Sequence, residues 1–228
     1  MKENKKIIFK CFIPEVAKSF PIERIKPTNF KWFKKAVNNF KSNKTSPHTA
    51  KCPGIISMLN TGWIQYAYQD FTIETNGDLK SFKWTSQINQ KLLIHGNLMQ
   101  DYISCHTSDQ LEKFKKFPSN TLHTIIKIQS PWIVDIPEGY NLLSMPVPYN
   151  DDNRFMAAHG VLKNKNWINI QLYWYVINGK ETIKKGTPLC QYLLFKEEKY
   201  DHEIENVNEE DIKYLKEHIL ELNNENNK

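Results

Sequence analysis

The 228-residue, 26.9 kDa chain is 40% hydrophobic and 12% aromatic, with 31 Lys or Arg against 25 Asp or Glu. Its 6 Trp, 10 Tyr and 12 Phe exclude an intrinsically disordered chain, and its length suits one large β-rich domain with appendages. No run nears the ~20 apolar residues of a membrane-crossing helix, and the start Met1-Lys2-Glu3-Asn4-Lys5-Lys6 lacks a signal-peptide pattern, so a cytoplasmic protein without membrane contact is expected.

Residues 1–51 form a basic N-terminal segment, with thirteen Lys or Arg against three Glu and a net charge of +10. Such a front is a candidate nucleic-acid contact through phosphate electrostatics. Only Arg24 and Arg154 are arginines, however, and a dedicated phosphate reader would use the bidentate Arg fork. A solvated, Lys-rich surface is therefore the favoured account. Within this segment Lys6 to Phe12 is a β-prone run stopped by Pro14. A short helix is expected from Asn29 to Asn39, with Phe30, Phe33 and Val37 on one face and Lys34 and Lys35 toward solvent. Aromatics at helical spacing are ordinarily core.

Residues 52–196 are expected to form a β-rich body. Pro53 suits a helix start, giving a helix over Ile55 to Thr61 that Gly62 ends. Trp63 to Tyr68, Phe71 to Glu74 and Ser81 to Trp84 are strand-like, and Asn76-Gly77-Asp78 predicts a hairpin between the last two. Leu92 to Tyr102 has no clear period. Ser108 to Phe117 predicts a short helix closed by Pro118, and Thr121 to Gln129 alternates as a strand. Six further strand-like runs follow: Trp132 to Asp135, Tyr140 to Val147, Asn153 to Val161, Trp167 to Val176, Thr182 to Ile183, and Leu189 to Phe195. Short strands at this spacing, separated by turn residues, indicate a mainly β jelly-roll, sandwich or barrel-like body.

Residues 197–228 are an acidic tail. One amphipathic helix is expected over Asn208 to Leu222, with Ile212, Leu215, Ile219 and Leu222 on its apolar stripe, and docking of the stripe on the body would bury it.

Few residue patterns carry chemistry. Cys11, Cys52, Cys105 and Cys190 form no C-x-x-C pair and are expected to be reduced. Cys105-His106 sits on a strand-like run, where neighbours point to opposite faces, which argues against a catalytic dyad. No Gly-rich phosphate loop is present, and no His-x-Asp or His-x-Glu of an oxygenase iron site occurs in the β body. No cofactor is expected. If a metal ion binds, His95 and His159 are the candidate ligands. Aromatics are more abundant than a β core requires: along Trp167 to Val176, a half-buried strand would turn either Tyr173 and Tyr175 or Leu172 and Trp174 outward, and a strand buried on both faces would turn out neither.

Several elements resemble an uncharacterised protein family of marine cyanophages and other tailed phages, across roughly residues 20 to 196. They are Lys51-Cys52-Pro53, Phe82-Lys83-Trp84, His95 with Gln100, Pro131-Trp132 to Gly139-Tyr140, Gly160-Val161, and Gly186-Thr187-Pro188 with Gln191. More distantly, Pro-x-Gly-Tyr, Gly-Val and the closing Gly-x-x-x-x-Gln resemble the strand order of β-clip proteins, the deoxyuridine triphosphatase and deoxycytidine triphosphate deaminase group. Those enzymes carry an Asp shortly after Gly-Val. Here Gly160-Val161 is followed by Leu162-Lys163, so the resemblance implies the fold without the acid.

The expectation is thus a jelly-roll or β-clip-like body with short N-terminal helices and one C-terminal helix, serving as a noncatalytic phage-encoded accessory or interaction protein. His95, Gln100, Arg154, His159 and Trp174 are its candidate binding residues, for a protein partner or a small molecule, and no catalytic residue is assigned. One alternative is a small-molecule enzyme, a metal-dependent oxygenase or degenerate nucleotide hydrolase. Another is a nucleic-acid binder acting through residues 1–51.

Overall fold

The computed structural model describes residues 6–43, 49–86, 93–94, 97–98, 101–111 and 117–226. In chain order its elements begin with β1 (Ile8–Cys11), α1 (Pro14–Ser19), β2 (Glu23–Arg24), α2 (Lys31–Asn43) and α3 (Pro53–Met58). The strands β3 (Trp63–Tyr66), β4 (Phe71–Asn76), β5 (Phe82–Ser86), β6 (Leu93–Ile94), β7 (Asn97–Leu98) and β8 (Ile103–His106) come next, then the short α4 (Ser108–Leu111). After it lie β9 (Ile125–Ile128), β10 (Trp132–Asp135), β11 (Tyr140–Met145), β12 (Phe155–Ala157), β13 (Gly160–Lys163) and β14 (Lys165–Trp167). β15 (Ile170–Trp174), β16 (Asn178–Ile183), β17 (Pro188–Lys196) and α5 (Glu209–Asn226) complete the chain.

The residues divide into two compact units. One comprises Met1–Lys26 with Leu59–Glu197, and the other Pro27–Met58 with Glu198–Lys228. The first holds all the described strands, which pair antiparallel throughout. Its largest sheet runs β13-β11-β17-β3-β2, a second runs β12-β15-β9-β8, and three-stranded sheets β1-β10-β14 and β16-β4-β5 and the ribbon β6-β7 accompany them. The protein is mainly β, as the punctuated strand pattern predicts. The expected hairpin about Asn76-Gly77-Asp78 is present, with Phe71 opposite Ser86 and Thr75 opposite Phe82.

Two expected strands are each broken in two. Asn153 to Val161 separates at Ala158-His159 into β12 and β13, and Trp167 to Val176 separates at Ile168-Asn169 to leave Trp167 in β14 and Ile170–Trp174 in β15. In each case the halves join different sheets. A continuous apolar run hides such a crossing, because Ile168 is as buried between the strands as Ile170 is within one.

The core gathers Phe71, Ile73, Ile126, Ile128, Leu142, Leu172, Trp174, Leu189 and Tyr192. Within it a polar thread is fully bonded: the Tyr192 hydroxyl donates to Gln65 Oε1 at 2.7 Å, and Gln65 Nε2 donates to Ser130 Oγ at 2.7 Å. Buried amide and hydroxyl groups persist in a core when their partners are supplied this way. Long-range ties also explain the Gly186-Thr187-Pro188 and Gln191 motif. Gly186, at φ +83°, donates its N–H to the Ala67 carbonyl, the Ala67 N–H donates to the Thr187 carbonyl, and Gln191 Nε2 donates to the Thr61 carbonyl at 2.6 Å. The motif therefore clips β17 to the segment around β3.

The second unit holds α2, α3 and α5. In α2 the Trp32 ring meets Phe33 edge to face at 5.5 Å; of the expected stripe, Phe30 just before the helix is buried, while Phe33 and Val37 are half-buried. Ile212 and Leu215, on the stripe of α5 expected to dock, are 42% and 50% exposed.

Candidate functional site

The chain between β11 and β12, residues 146–154, is an irregular excursion of the β body. It begins Pro146-Val147-Pro148, whose prolines hold the backbone extended and end the β11 ladder, and turns through Tyr149-Asn150-Asp151-Asp152. Tyr149 sits in the left-handed region at φ +54°, which costs a non-glycine residue on the order of 1 kcal/mol. Its side chain is 52% exposed. Strain of this kind persists only where neighbouring contacts over-determine the turn.

The end of the same turn is braced by Arg154. Its Nε and Nη2 fork onto Asp152 Oδ1 and Oδ2 at 2.9 and 2.6 Å, and its Nη1 donates to the Thr182 carbonyl of β16 at 2.7 Å. The Asp152 carboxylate also accepts the Arg154 N–H at 3.1 Å, and Glu181 lies 3.6 Å from Nη1. Burial pushes the Asp152 pKa up, but the bonds and charge of Arg154 outweigh it, leaving the carboxyl below its ordinary value. The Arg154 pKa rises in turn, chiefly through its bonds to Asp152. Both groups therefore stay ionised and mutually engaged. Three guanidinium hydrogen bonds, one from each nitrogen, are spent on the protein's own chain, so Arg154 builds the loop rather than offering an anion fork.

The loop closes over a cleft of about 450 Å³. Its lining includes Tyr149, Met156 and Tyr175, the polar Asn150, Asp152 and Asn153, and Leu189 of β17. Along β12, Phe155 and Ala157 are buried and Met156 between them is half-buried, and all three line the cleft. β12 pairs with β15 with Phe155 opposite Trp174, and the Tyr175 N–H donates to the Arg154 carbonyl, placing Tyr175 beside Met156. The Tyr175 hydroxyl lies 3.8 Å from the Met156 sulfur. The cleft is thus an open, aromatic and thioether-lined surface, with Asp152 at its edge held by Arg154.

The candidate residues from the sequence do not all share this place. Arg154 supports the cleft loop from behind. His159 is exposed in the link between β12 and β13. Trp174 is fully buried, with its indole stacked at 7° and 6.4 Å on Phe155, so its side chain offers no surface to a ligand. Leu172, Tyr173 and Trp174 are all buried, the two-sided burial left open by the sequence, and Tyr175 lines the cleft. His95 and Gln100 lie outside the described residues. Among the described residues no three His, Cys, Asp or Glu side chains gather as a metal site.

Of the other aromatics, Trp63 lies under the Arg24 guanidinium at 5.0 Å, the Tyr66 hydroxyl donates to Glu23 Oε1, and Tyr68 packs edge-on against Tyr102. Cys105 and His106 are consecutive in β8, opposite Ile126 and Ile125, and His106 Nδ1 lies 3.3 Å from Gln110 Oε1. Tyr149, Met156 and Asp152 were not singled out in the sequence. The available signal was an aromatic set in a turn beside one of the chain's two arginines. No known family model matches this chain, and no curated protein sequence matches it.

Proposed function

We propose that the chain is a noncatalytic interaction protein that receives an extended, apolar segment of a partner protein in the cleft of Tyr149, Met156 and Tyr175. The carrying observation is the combination of that lining with a self-neutralised Asp152–Arg154 pair. Aromatic and Met side chains contribute most of the contact energy at protein interfaces and adapt to varied apolar partners. With Asp152 and Arg154 engaged by each other, the chain's one guanidinium near the cleft is not presented to a phosphate or a carboxylate. The resemblance in residues 20 to 196 supports a phage-encoded accessory protein, and the closing Gly-x-x-x-x-Gln supports a body of β-clip or jelly-roll type.

Affinity recovery with the tagged full chain from infected cells tests this, comparing wild type with Tyr149→Gly/Met156→Ser and with a control, Lys180→Ala, on β16 away from the cleft lining. A partner held by wild type and the control but lost from the cleft variant is the expected result. Equal recovery by all three, or no partner with any, overturns the reading.

A further inference from the structure

We propose that α5 is a self-association element, pairing with α5 of a second copy of this chain as a parallel, in-register two-stranded coiled coil. This is independent of the cleft.

The helix start is set locally. Asn208 Oδ1 accepts the Asp211 N–H at 3.0 Å and Asp211 Oδ2 accepts the Asn208 N–H at 2.9 Å, a reciprocal cap, and Glu209, Glu210 and Asp211 complement the positive helix end. Beyond this cap the described side chains of the helix are exposed. Every residue from 195 to 218 is exposed, and Ile212 and Leu215 show 42% and 50% of their surface. An isolated helix of 18 residues is marginal in water, because most helical stability in proteins comes from packing an apolar face. Ile212 and Leu215, the part of that face whose side chains are described, stand without such packing.

The sequence of the stripe selects the occupant. Ile212, Leu215, Ile219 and Leu222 recur at intervals of 3, 4 and 3, a strict heptad seam with Ile at both a positions and Leu at both d positions. That choice favours two parallel strands. A seam of this width fits another seam, whereas a helix docked on a globular surface carries a broader stripe. In a parallel pair the g residue of one helix meets the e residue of the next heptad on its partner. Here the first g–e pair is Asp211 with Lys216, so two copies in register place opposite charges together once on each side of the seam, while the next pair, His218 with Asn223, adds no opposed charges. The helix is complementary to itself.

Sedimentation equilibrium of the full chain, loaded from about 1 to about 500 μM, brackets micromolar to submillimolar dissociation constants. The expected result is a reversible monomer–dimer equilibrium, abolished by Leu215→Asp and weakened about fivefold by Lys216→Glu, which sets like charges across the two symmetric g–e positions. Because Leu215 and Lys216 are exposed, both variants keep the β-body circular dichroism and melting of wild type. Orientation is read from Ile212→Cys in a Cys52→Ser background: in register, the two new cysteines lie within disulfide reach and oxidise to a covalent dimer, whereas antiparallel helices would hold them about 15 Å apart. A monomer at every load, a dimer that survives Leu215→Asp, or a dimer that fails to cross-link through residue 212 overturns the proposal.

Discussion

Asp152 and Arg154, two residues apart in sequence, close a bidentate ion pair of 2.9 and 2.6 Å, and the same guanidinium reaches across to the Thr182 carbonyl of β16. One side chain thereby fixes a turn to itself and to a different sheet. The pair is partly shielded, with side-chain exposures of 26% for Arg154 and 12% for Asp152.

Arg154→Ala removes the fork and leaves Asp152 with a half-buried charge, so a loss of about 2 kcal/mol is expected. Arg154→Lys recovers only part of it, since an ammonium cannot match two carboxylate oxygens and a carbonyl in one plane. Denaturant titration of both variants measures this, and an Arg154→Ala midpoint equal to wild type would remove Arg154 as the support of the cleft loop.

Acid acts on the same pair in one direction. Burial raises the Asp152 pKa, but Arg154 lowers it by more, so its folded value lies below its unfolded one. The stability it contributes is complete above the unfolded value and is lost as the pH falls through the folded value. Asp70 moves the same way through its bonds from Lys184 and the Lys185 N–H, and Asp78 through Ser81 and Lys80. Denaturant midpoints are therefore expected to hold from pH 7 to about 5 and to drop below about 4. Arg154→Ala, already lacking the Asp152 share, should lose less over that interval. Parallel loss by the two proteins would show that Asp152 has no part in it.

Gly62 is fixed by approach as well as by conformation. At φ +87° it lies where a Cβ would stand 2.0 Å from the Tyr192 carbonyl oxygen in β17, a contact that neither backbone can relieve without breaking the β17–β3 ladder. Its own carbonyl accepts the Ile25 N–H at 3.2 Å. Gly62→Ala should cost about 3 kcal/mol, well beyond the usual penalty of a left-handed alanine. A thermal melt within about 2 °C of wild type, less than 1 kcal/mol for a chain of this size, would contradict the close approach.

The legible part of the fold came from period and punctuation. The Asn76-Gly77-Asp78 hairpin and the strands Trp132–Asp135 and Tyr140–Met145 emerge because turn residues bound each run. β12 from β13, and β14 from β15, could not be separated, because Ala158-His159 and Ile168-Asn169 carry no Gly or Pro and the change of sheet is a tertiary event. Trp174 misled for a related reason: alternation assigns faces only when one face is wet, and β15 is covered on both. The cleft was hidden because Met156 and Tyr175 are 19 residues apart and meet only through the β12–β15 pairing.

The cysteines should separate by reactivity. Burial pushes the Cys190 thiol up to about 11, only partly offset by its contact with Ser144 Oγ at 3.1 Å, so almost no thiolate forms at neutral pH. Cys52 is exposed. Because the thiolate is the nucleophile, a maleimide should label Cys52 within minutes in the native protein and Cys190 only under unfolding conditions. Peptide mass mapping of the labelled sites decides this, and rapid native labelling of Cys190 would mean that the β11–β17 core opens readily.

Trp174 offers the sharpest separation of packing from binding. Its indole is fully buried against Phe155, and its Nε1 has no hydrogen-bond partner among the described residues, a donor carried into the core at a cost of about 1–3 kcal/mol. Trp174→Ala should lose about 3–5 kcal/mol through the cavity it leaves. Trp174→Phe keeps a ring on Phe155 and deletes the unpaired N–H, so part of its lost volume is offset and about 1 kcal/mol is expected. Urea midpoints rank the two. Trp174→Phe should also retain any partner that the Tyr149→Gly/Met156→Ser protein loses, since its ring faces the core while theirs face the cleft. A Trp174→Phe protein as stable as wild type yet unable to bind would instead place Trp174 among the binding residues.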